Sequence, residues 1–154
     1  MAKTNSRLLK NYSPMPIKAA DLNIARKDLK NFIRGMGIVR KKPGRSEEKE
    51  LIGGIIKTNS PKLVQKLIFS HMDIIVEIGT RYYAKYKAGY YPGCVLKISD
   101  IITAGNFGLL MAACSLKKKK FKWSFRKFAK IFVEGEILDT ILMQVEVLMY
   151  NKAH

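Results

Sequence analysis

The stretch from residue 61 to residue 88 constrains the fold most, because its apolar residues recur every three or four positions. These positions are Leu63, Val64, Leu67, Ile68, Ile74, Ile75, Ile78 and Tyr82. Such spacing places them on one face of an α-helix. Ser60 suits the N-cap position and Pro61 the first helical turn, so we expect one long helix to begin here. Gly89 and the Pro92-Gly93 pair predict the turn that ends it.

Similar patterns predict further helices on both sides of this stretch. The expected helices span residues 19 to about 39, 47 to 57, 100 to 114 and 125 to about 150. Gly35 and Gly37 end the pattern of the first helix, and Ser99 and Ser124 are the N-caps of the last two. Gly105 and Gly108 lie inside a helix, which favours a close contact with another helix at that point. The sequence therefore predicts an all-α, compact helical bundle over residues 21 to 150, preceded by a basic extended arm at residues 1 to 20.

The charge of the chain indicates a polyanionic partner. Lys and Arg number 29 against 12 Asp and Glu, which gives a net charge of +17 and an isoelectric point near 10.0. Nucleic acid is the first choice of partner and an anionic membrane surface the second. No run of about 18 uncharged apolar residues occurs, and the N-terminus lacks an apolar signal core. We therefore expect a cytoplasmic protein that neither spans a membrane nor is secreted.

The segment from Lys117 to Lys130 combines positive charge with aromatic side chains. It holds eight cationic residues and no acidic one, interleaved with Phe121, Trp123, Phe125 and Phe128. Phosphates require positive charge and unstacked bases require flat aromatic faces, so this composition is typical of single-strand binding. Two of the four aromatic side chains are expected to belong to the core.

The remaining reactive side chains do not form a pattern that indicates catalysis. Cys94 and Cys114 lie too far apart for a zinc site and are expected to be buried, reduced thiols. His71 is expected on the polar face of the long helix. No carboxylate pair, no nucleophile with a base and no metal-ligand cluster is present, so we expect neither an enzyme nor a cofactor.

Two stretches of sequence match a known family. The stretch from Ser99 to Ala113 is similar to the segment Asp-Leu-Ile-Gln-Glu-Gly-Asn-Ile-Gly-Leu, with matches at Asp100, Ile102, Gly105, Asn106, Gly108 and Leu109. Phe128-Ala129 followed by Gly135 to Asp139 is similar to Tyr-Ala and Arg-Gly-Ala-Met-Leu-Asp. These segments, in this order, resemble region 2 of the bacterial sigma factors of RNA polymerase. The resemblance covers residues 47 to 141.

The resemblance implies a transcription initiation factor that binds core RNA polymerase and melts a −10-like promoter element. In the family, the first segment contacts the coiled coil of the polymerase β′ subunit, which implies the contact residues Asp100, Ile101, Thr103, Ala104, Asn106, Phe107 and Leu110 here. The basic aromatic segment would hold the single-stranded −10 region through Lys117, Lys118, Lys119, Lys120, Phe121, Lys122, Trp123, Phe125, Arg126, Lys127, Phe128 and Lys130. Two alignments of that segment stay open. Either Phe121 to Ser124 or Phe125 to Ala129 corresponds to the family's base-capturing aromatic motif.

The resemblance stops soon after Asp139, because 15 residues follow it. We therefore expect no helix-turn-helix domain for the −35 element, as in reduced phage late-transcription sigma-like factors. Such a factor would share promoter recognition with a co-activator on upstream DNA, for example a sliding clamp. The tail from Leu138 to His154 either completes the bundle or contacts the polymerase β flap. Two rival functions are a general basic nucleic-acid-binding protein and a polymerase-binding regulator that blocks host sigma factors.

Overall fold

The computed structural model describes residues 15–37, 42–117 and 124–153, and this part of the chain contains six α-helices and no strand. They are α1 (Ala19–Gly35), α2 (Arg45–Thr58), α3 (Pro61–Ser70), α4 (Met72–Lys87), α5 (Ile98–Cys114) and α6 (Phe125–Ala153), with a 3-10 turn at Ser115–Lys117. The predicted all-α bundle is thus confirmed. Within the predicted basic arm, residues 1–14 lie outside the described part, and residues 15–18 have no regular secondary structure.

The helix starts show which predicted caps are correct. Ser124 caps α6, because its Oγ accepts the Lys127 N–H at 3.4 Å. Ser99 does not cap α5, which begins one residue earlier. The Asp100 carboxylate instead accepts the N–H of Lys97 at 2.9 Å, and Lys97 is the N-cap. Ser60 precedes α3 as predicted, without a capping hydrogen bond from its side chain.

The expected long helix over residues 61–88 is wrong, because the chain breaks at His71 into α3 and α4. His71 has a φ of −116° and a ψ of 15°, which lies outside the helical region. The side chain is also buried, with 5% of the residue exposed, and does not lie on a polar face. Its Nε2 lies 2.9 Å from the Glu48 carboxylate, and its Nδ1 lies 2.9 Å from the carbonyl oxygen of Leu67. These contacts replace helical hydrogen bonds at the break and connect α2 to the α3–α4 junction.

Helix α5 lies at the centre of the bundle together with α4, since each of the two contacts α1, α3 and α6 as well as the other. It runs antiparallel to α4, since Gly105 packs on Ile75 and Gly79 packs on Ile101 further along the pair. A Cβ atom at Gly105 would lie 2.7 Å from Ile75 Cγ2, and one at Gly108 would lie 2.7 Å from Val133 Cα. The prediction that these two glycines mark close helix contacts is confirmed.

The two cysteines differ in their environment. Cys94 is buried in the loop before α5, and its thiol lies 3.3 Å from the side-chain oxygen of Gln144 on α6. Burial raises the pKa of this thiol, with a smaller contribution from the charge of Asp100. Cys114, at the end of α5, is exposed. The prediction of a buried thiol is therefore correct for Cys94 and wrong for Cys114.

Candidate protein and nucleic-acid interface

Helix α5 keeps one uncharged stripe at the surface although four other helices pack around it. We call this set the α5 stripe: Thr103, Phe107, Leu110, Met111 and Cys114, all exposed and spaced three or four residues apart. Phe107 is 52% exposed, Leu110 39% and Met111 36%. The opposite faces of α5 carry the buried residues of the core, which explains why the helix is apolar on all sides.

The predicted polymerase contacts divide between the stripe and the core. Thr103, Phe107 and Leu110 belong to the α5 stripe, whereas Ile101 is 0% exposed and Ala104 is 7% exposed. The assignment of Ile101 and Ala104 to a docking surface is wrong, because both face the core.

Asp100 and Asn106, the two polar residues of this prediction outside the α5 stripe, are half-buried. The Asp100 carboxylate already accepts a backbone hydrogen bond at the start of the helix. Asn106 Oδ1 is buried without a hydrogen-bond partner among the described residues. The prediction also missed Met111 and Cys114, which the spacing of three or four residues from Phe107 and Leu110 would have indicated.

Half of the predicted DNA contacts lie outside the described residues. These are Lys118, Lys119, Lys120, Phe121, Lys122 and Trp123. Of the other six, Phe125 is 2% exposed and Phe128 is 6% exposed, so their assignment to DNA contact is wrong. The Phe125 ring meets the His71 imidazole edge to face at 4.9 Å. These two residues do match the expectation that two of the four aromatic side chains belong to the core.

The cations of α6 are partly neutralised by a ladder of ion pairs with α4. Every pair joins residues 53 positions apart, so α4 and α6 run parallel and in register. The pairs are Asp73–Arg126 at 2.6 Å, Glu77–Lys130 at 2.9 Å and Arg81–Glu134 at 3.8 Å. The acidic residue is on α4 in the first two pairs and on α6 in the third. A slip of one helical turn in either direction would therefore place two like charges opposite each other, which disfavours other registers.

The third step of the ladder contains a tyrosine as well. The Tyr82 hydroxyl donates a hydrogen bond to Glu134 Oε1 at 2.9 Å. Burial, this hydrogen bond and the negative charge of Glu134 raise the pKa of Tyr82 to about 12. The phenol therefore stays protonated and keeps donating throughout the neutral range.

The ladder leaves few cations of the predicted DNA surface free in the described part of the chain. Arg126 and Lys130 are engaged with acidic residues, whereas Lys117 and Lys127 are exposed with no acidic group within 4.0 Å among those residues. Burial alone would raise the pKa of Asp73. The hydrogen bond and charge of Arg126 outweigh it, and the pKa of this carboxyl is lowered.

Replacing Asp73 by asparagine is expected to lower the free energy of unfolding at pH 7 by about 1 to 3 kcal/mol, because Arg126 loses its charged partner. The lowered pKa of Asp73 means that this contribution is present above its ordinary value of 3.8 and is lost as the pH falls through the lowered value. Urea unfolding of both proteins should show stabilities that converge at acid pH. Glu50→Gln, at an exposed position on α2, is the control and should change little at any pH. A difference for Asp73→Asn that does not vary with pH would contradict this account.

No group of three or more His, Cys, Asp and Glu side chains that could hold a metal occurs among the described residues. His71 is buried, and its two ring nitrogens are hydrogen-bonded to the Leu67 carbonyl and the Glu48 carboxylate. The expectation that the protein is not an enzyme stays a prediction.

Comparison with known proteins gives no family, since no protein-family model, curated protein or solved structure matches the chain. One described segment, Ile98–Lys117, is long and apolar enough to cross a membrane by length and composition. This segment is α5 with its 3-10 turn, and 44% of its apolar window is buried inside the bundle. The buried residues of this segment pack against the other helices, and its exposed apolar residues are those of the α5 stripe.

Proposed function

We propose that the protein is a sigma-like transcription initiation factor. It binds core RNA polymerase through the α5 stripe and holds opened promoter DNA with the basic segment that follows. The proposal builds on the sequence resemblance to sigma factor region 2 and on the surface properties of α5. The chain makes and breaks no bond. Its work is to offset the cost of unpairing DNA by binding the separated strand.

The exposure of the α5 stripe is the observation that carries the proposal. A phenylalanine, a leucine and a methionine stand at the surface of a helix that four other helices contact, with no charged residue among them. Aromatic residues and methionine are enriched in the buried centres of protein interfaces, and charged residues are depleted there. The family resemblance supplies the partner for this surface, the coiled coil of the polymerase β′ subunit.

The DNA surface adjoins the α5 stripe in the chain. Lys117 follows α5 directly, and Lys127 lies in the first turn of α6. Between them, residues 118–123 contribute four lysines and two aromatic side chains that can contact phosphates and unpaired bases. A promoter strand held here would lie next to the polymerase contact.

Trp123→Ala is expected to keep core polymerase binding but to abolish promoter opening, because base stacking contributes about 1 to 3 kcal/mol per base. Permanganate reactivity of thymines in the promoter bubble measures opening. Phe121→Ala tests the other aromatic side chain of the same segment, and Phe32→Ala, on α1, is the control for loss of an exposed phenylalanine. Normal permanganate reactivity with Trp123→Ala would contradict the assignment of base capture to Trp123.

A second candidate function is that of a regulator that binds polymerase and excludes other sigma factors without opening DNA. The burial of Phe125 and Phe128 and the pairing of Arg126 and Lys130 favour it, since they remove four predicted DNA contacts from the free surface. A regulator would compete with a housekeeping sigma factor for core enzyme and give no permanganate-reactive thymines. An initiation factor would compete and also give them.

A further inference from the structure

Helices α2 and α3 enclose a groove that none of the predicted contacts uses. Its volume is about 430 Å³, within the range of roughly 300 to 1,000 Å³ that is common for small-ligand sites. The walls include Glu47 and Leu51 of α2 and Lys62, Gln65, Lys66 and Phe69 of α3. We call this the α2–α3 groove.

The α3 wall combines positive charge with an aromatic surface. Its four residues lie three or four positions apart, so they share one face of the helix, and all four are exposed. Lys62 presents an ammonium group with no acidic group within 4.0 Å among the described residues, and Phe69 is 36% exposed. Lys66 Nζ lies 3.7 Å from Glu47 Oε1, but both side chains are at least half exposed, so solvent screens this pair and a phosphate can replace the carboxylate. Leu51, which is 6% exposed, supplies an apolar surface opposite them. Proteins that bind single-stranded nucleic acid contact its phosphates with cations and stack its bases on aromatic side chains.

The groove lies next to the start of α6. Pro43 lines it, and the preceding residue, Lys42, lies 3.6 Å from the same Asp73 oxygen that holds Arg126. Ser70 also lines it and is followed by His71, whose ring touches Phe125. The end of the groove at Pro43 and Ser70 is therefore connected through Lys42 and His71 to the start of α6, where Lys127 is exposed.

We propose that the α2–α3 groove holds a nucleotide of a single-stranded nucleic acid, with its base against Phe69 and its flanking phosphates at Lys62 and Lys66. The inference rests on the proposed function, because the strand would arrive from the basic surface at the start of α6. Glu47, which lies 3.7 Å from Lys66, is unfavourable to a phosphate on the α2 wall. The phosphates therefore follow the α3 wall, and the Glu47 carboxylate accepts a hydrogen bond from an amino group of the base.

Salt-dependent binding of a fluorescein-labelled, 15-nucleotide single-stranded DNA of mixed sequence tests the phosphate contacts. The Lys62→Ala/Lys66→Ala variant is expected to bind at least fivefold more weakly at 0.1 M salt. Its slope of log affinity against log salt should fall by about 1.4, since each phosphate contact on a single strand contributes about 0.7. The Lys27→Ala/Lys30→Ala variant removes the same charge from exposed positions on α1 and should lose less than twofold.

A second pair of variants tests the stacking contact. Phe69→Ala should weaken binding of the same DNA at least fivefold without a change in the salt slope, because its phosphate contacts remain. Phe32→Ala is the matched control, since Phe32 is 40% exposed on α1, and it should bind like the original protein. Thermal melts by circular dichroism confirm that each variant is folded.

The binding measurements distinguish a failure of the groove inference from a failure of the proposed function. If the groove variants bind like their controls while Lys117→Ala/Lys127→Ala weakens binding, the groove inference is overturned and the DNA surface at the start of α6 stands. If the unaltered protein does not bind the single strand at all, the DNA part of the proposed function fails together with it.

Discussion

Gly108→Ala is expected to lower the free energy of unfolding by about 3 kcal/mol, because the added methyl group has no room between α5 and α6. The new Cβ would lie 2.7 Å from Val133 Cα and 2.8 Å from the Phe132 carbonyl oxygen. Both are backbone atoms of α6, so no side-chain rotation relieves the clash, and α5 and α6 must separate. Overpacking in a core costs about 1 to 3 kcal/mol even where side chains adjust.

Gly135→Ala is the matched control for this substitution. Gly135 lies within α6, and a Cβ there meets nothing within 4 Å. Alanine should stabilise the helix by about 0.5 to 1 kcal/mol, because it removes the helical penalty of glycine. Urea unfolding followed by circular dichroism measures both changes. Equal effects of the two substitutions would contradict the close packing of α5 on α6.

Phe107→Ala is expected to weaken binding to core RNA polymerase by about tenfold to a hundredfold. Truncation of an aromatic side chain at the centre of an interface commonly costs about 2 kcal/mol or more. Because Phe107 is 52% exposed in the free protein, the stability of the fold should change by less than about 0.5 kcal/mol. Affinity is measured by surface plasmon resonance with immobilised core enzyme.

Ile24→Ala controls for the loss of an exposed apolar side chain, since Ile24 is 61% exposed on α1. It should bind core enzyme like the original protein. If Phe107→Ala binds as tightly as this control, the α5 stripe is not the polymerase contact. An isolated β′ coiled-coil fragment in the same assay would then show whether another surface binds the polymerase.

The sequence predicts the helical fold well because the evidence for it is local. Apolar spacing places α1, α2, α5 and α6 within a few residues of their observed ends, and α1 ends at Gly35, one of the two glycines expected to end its pattern. The penalty of glycine inside a helix correctly indicates the close contacts of Gly105 and Gly108.

Local apolar spacing does not predict the break at His71, because residues that contact the imidazole there are distant in sequence. The apolar pattern continues through the junction of α3 and α4, while the imidazole at the break contacts Glu48 on α2 and Phe125 on α6. The same spacing also does not predict that Ile101 and Ala104 face the core. An all-apolar helix does not reveal which of its faces is covered.

The ion-pair ladder shows the same limit for the DNA surface. Arg126 and Lys130 look available in the sequence, since the segment from Lys117 to Lys130 contains no acidic residue. Their partners on α4 lie 53 residues earlier, and only the parallel packing of α4 and α6 brings them together. Charge counts along a segment therefore overstate the number of cations free to bind phosphate.

The most direct test of the central claim is transcription by purified bacterial core RNA polymerase with and without the protein. Because the promoter sequence is unknown, the template is a DNA pool with a randomised stretch of 12 base pairs upstream of a fixed reporter, and the transcribed templates are sequenced. The account predicts transcripts that depend on the protein and start at a fixed distance from an enriched A·T-rich element. Binding to core enzyme without any such enrichment would contradict the initiation function and favour the blocking regulator.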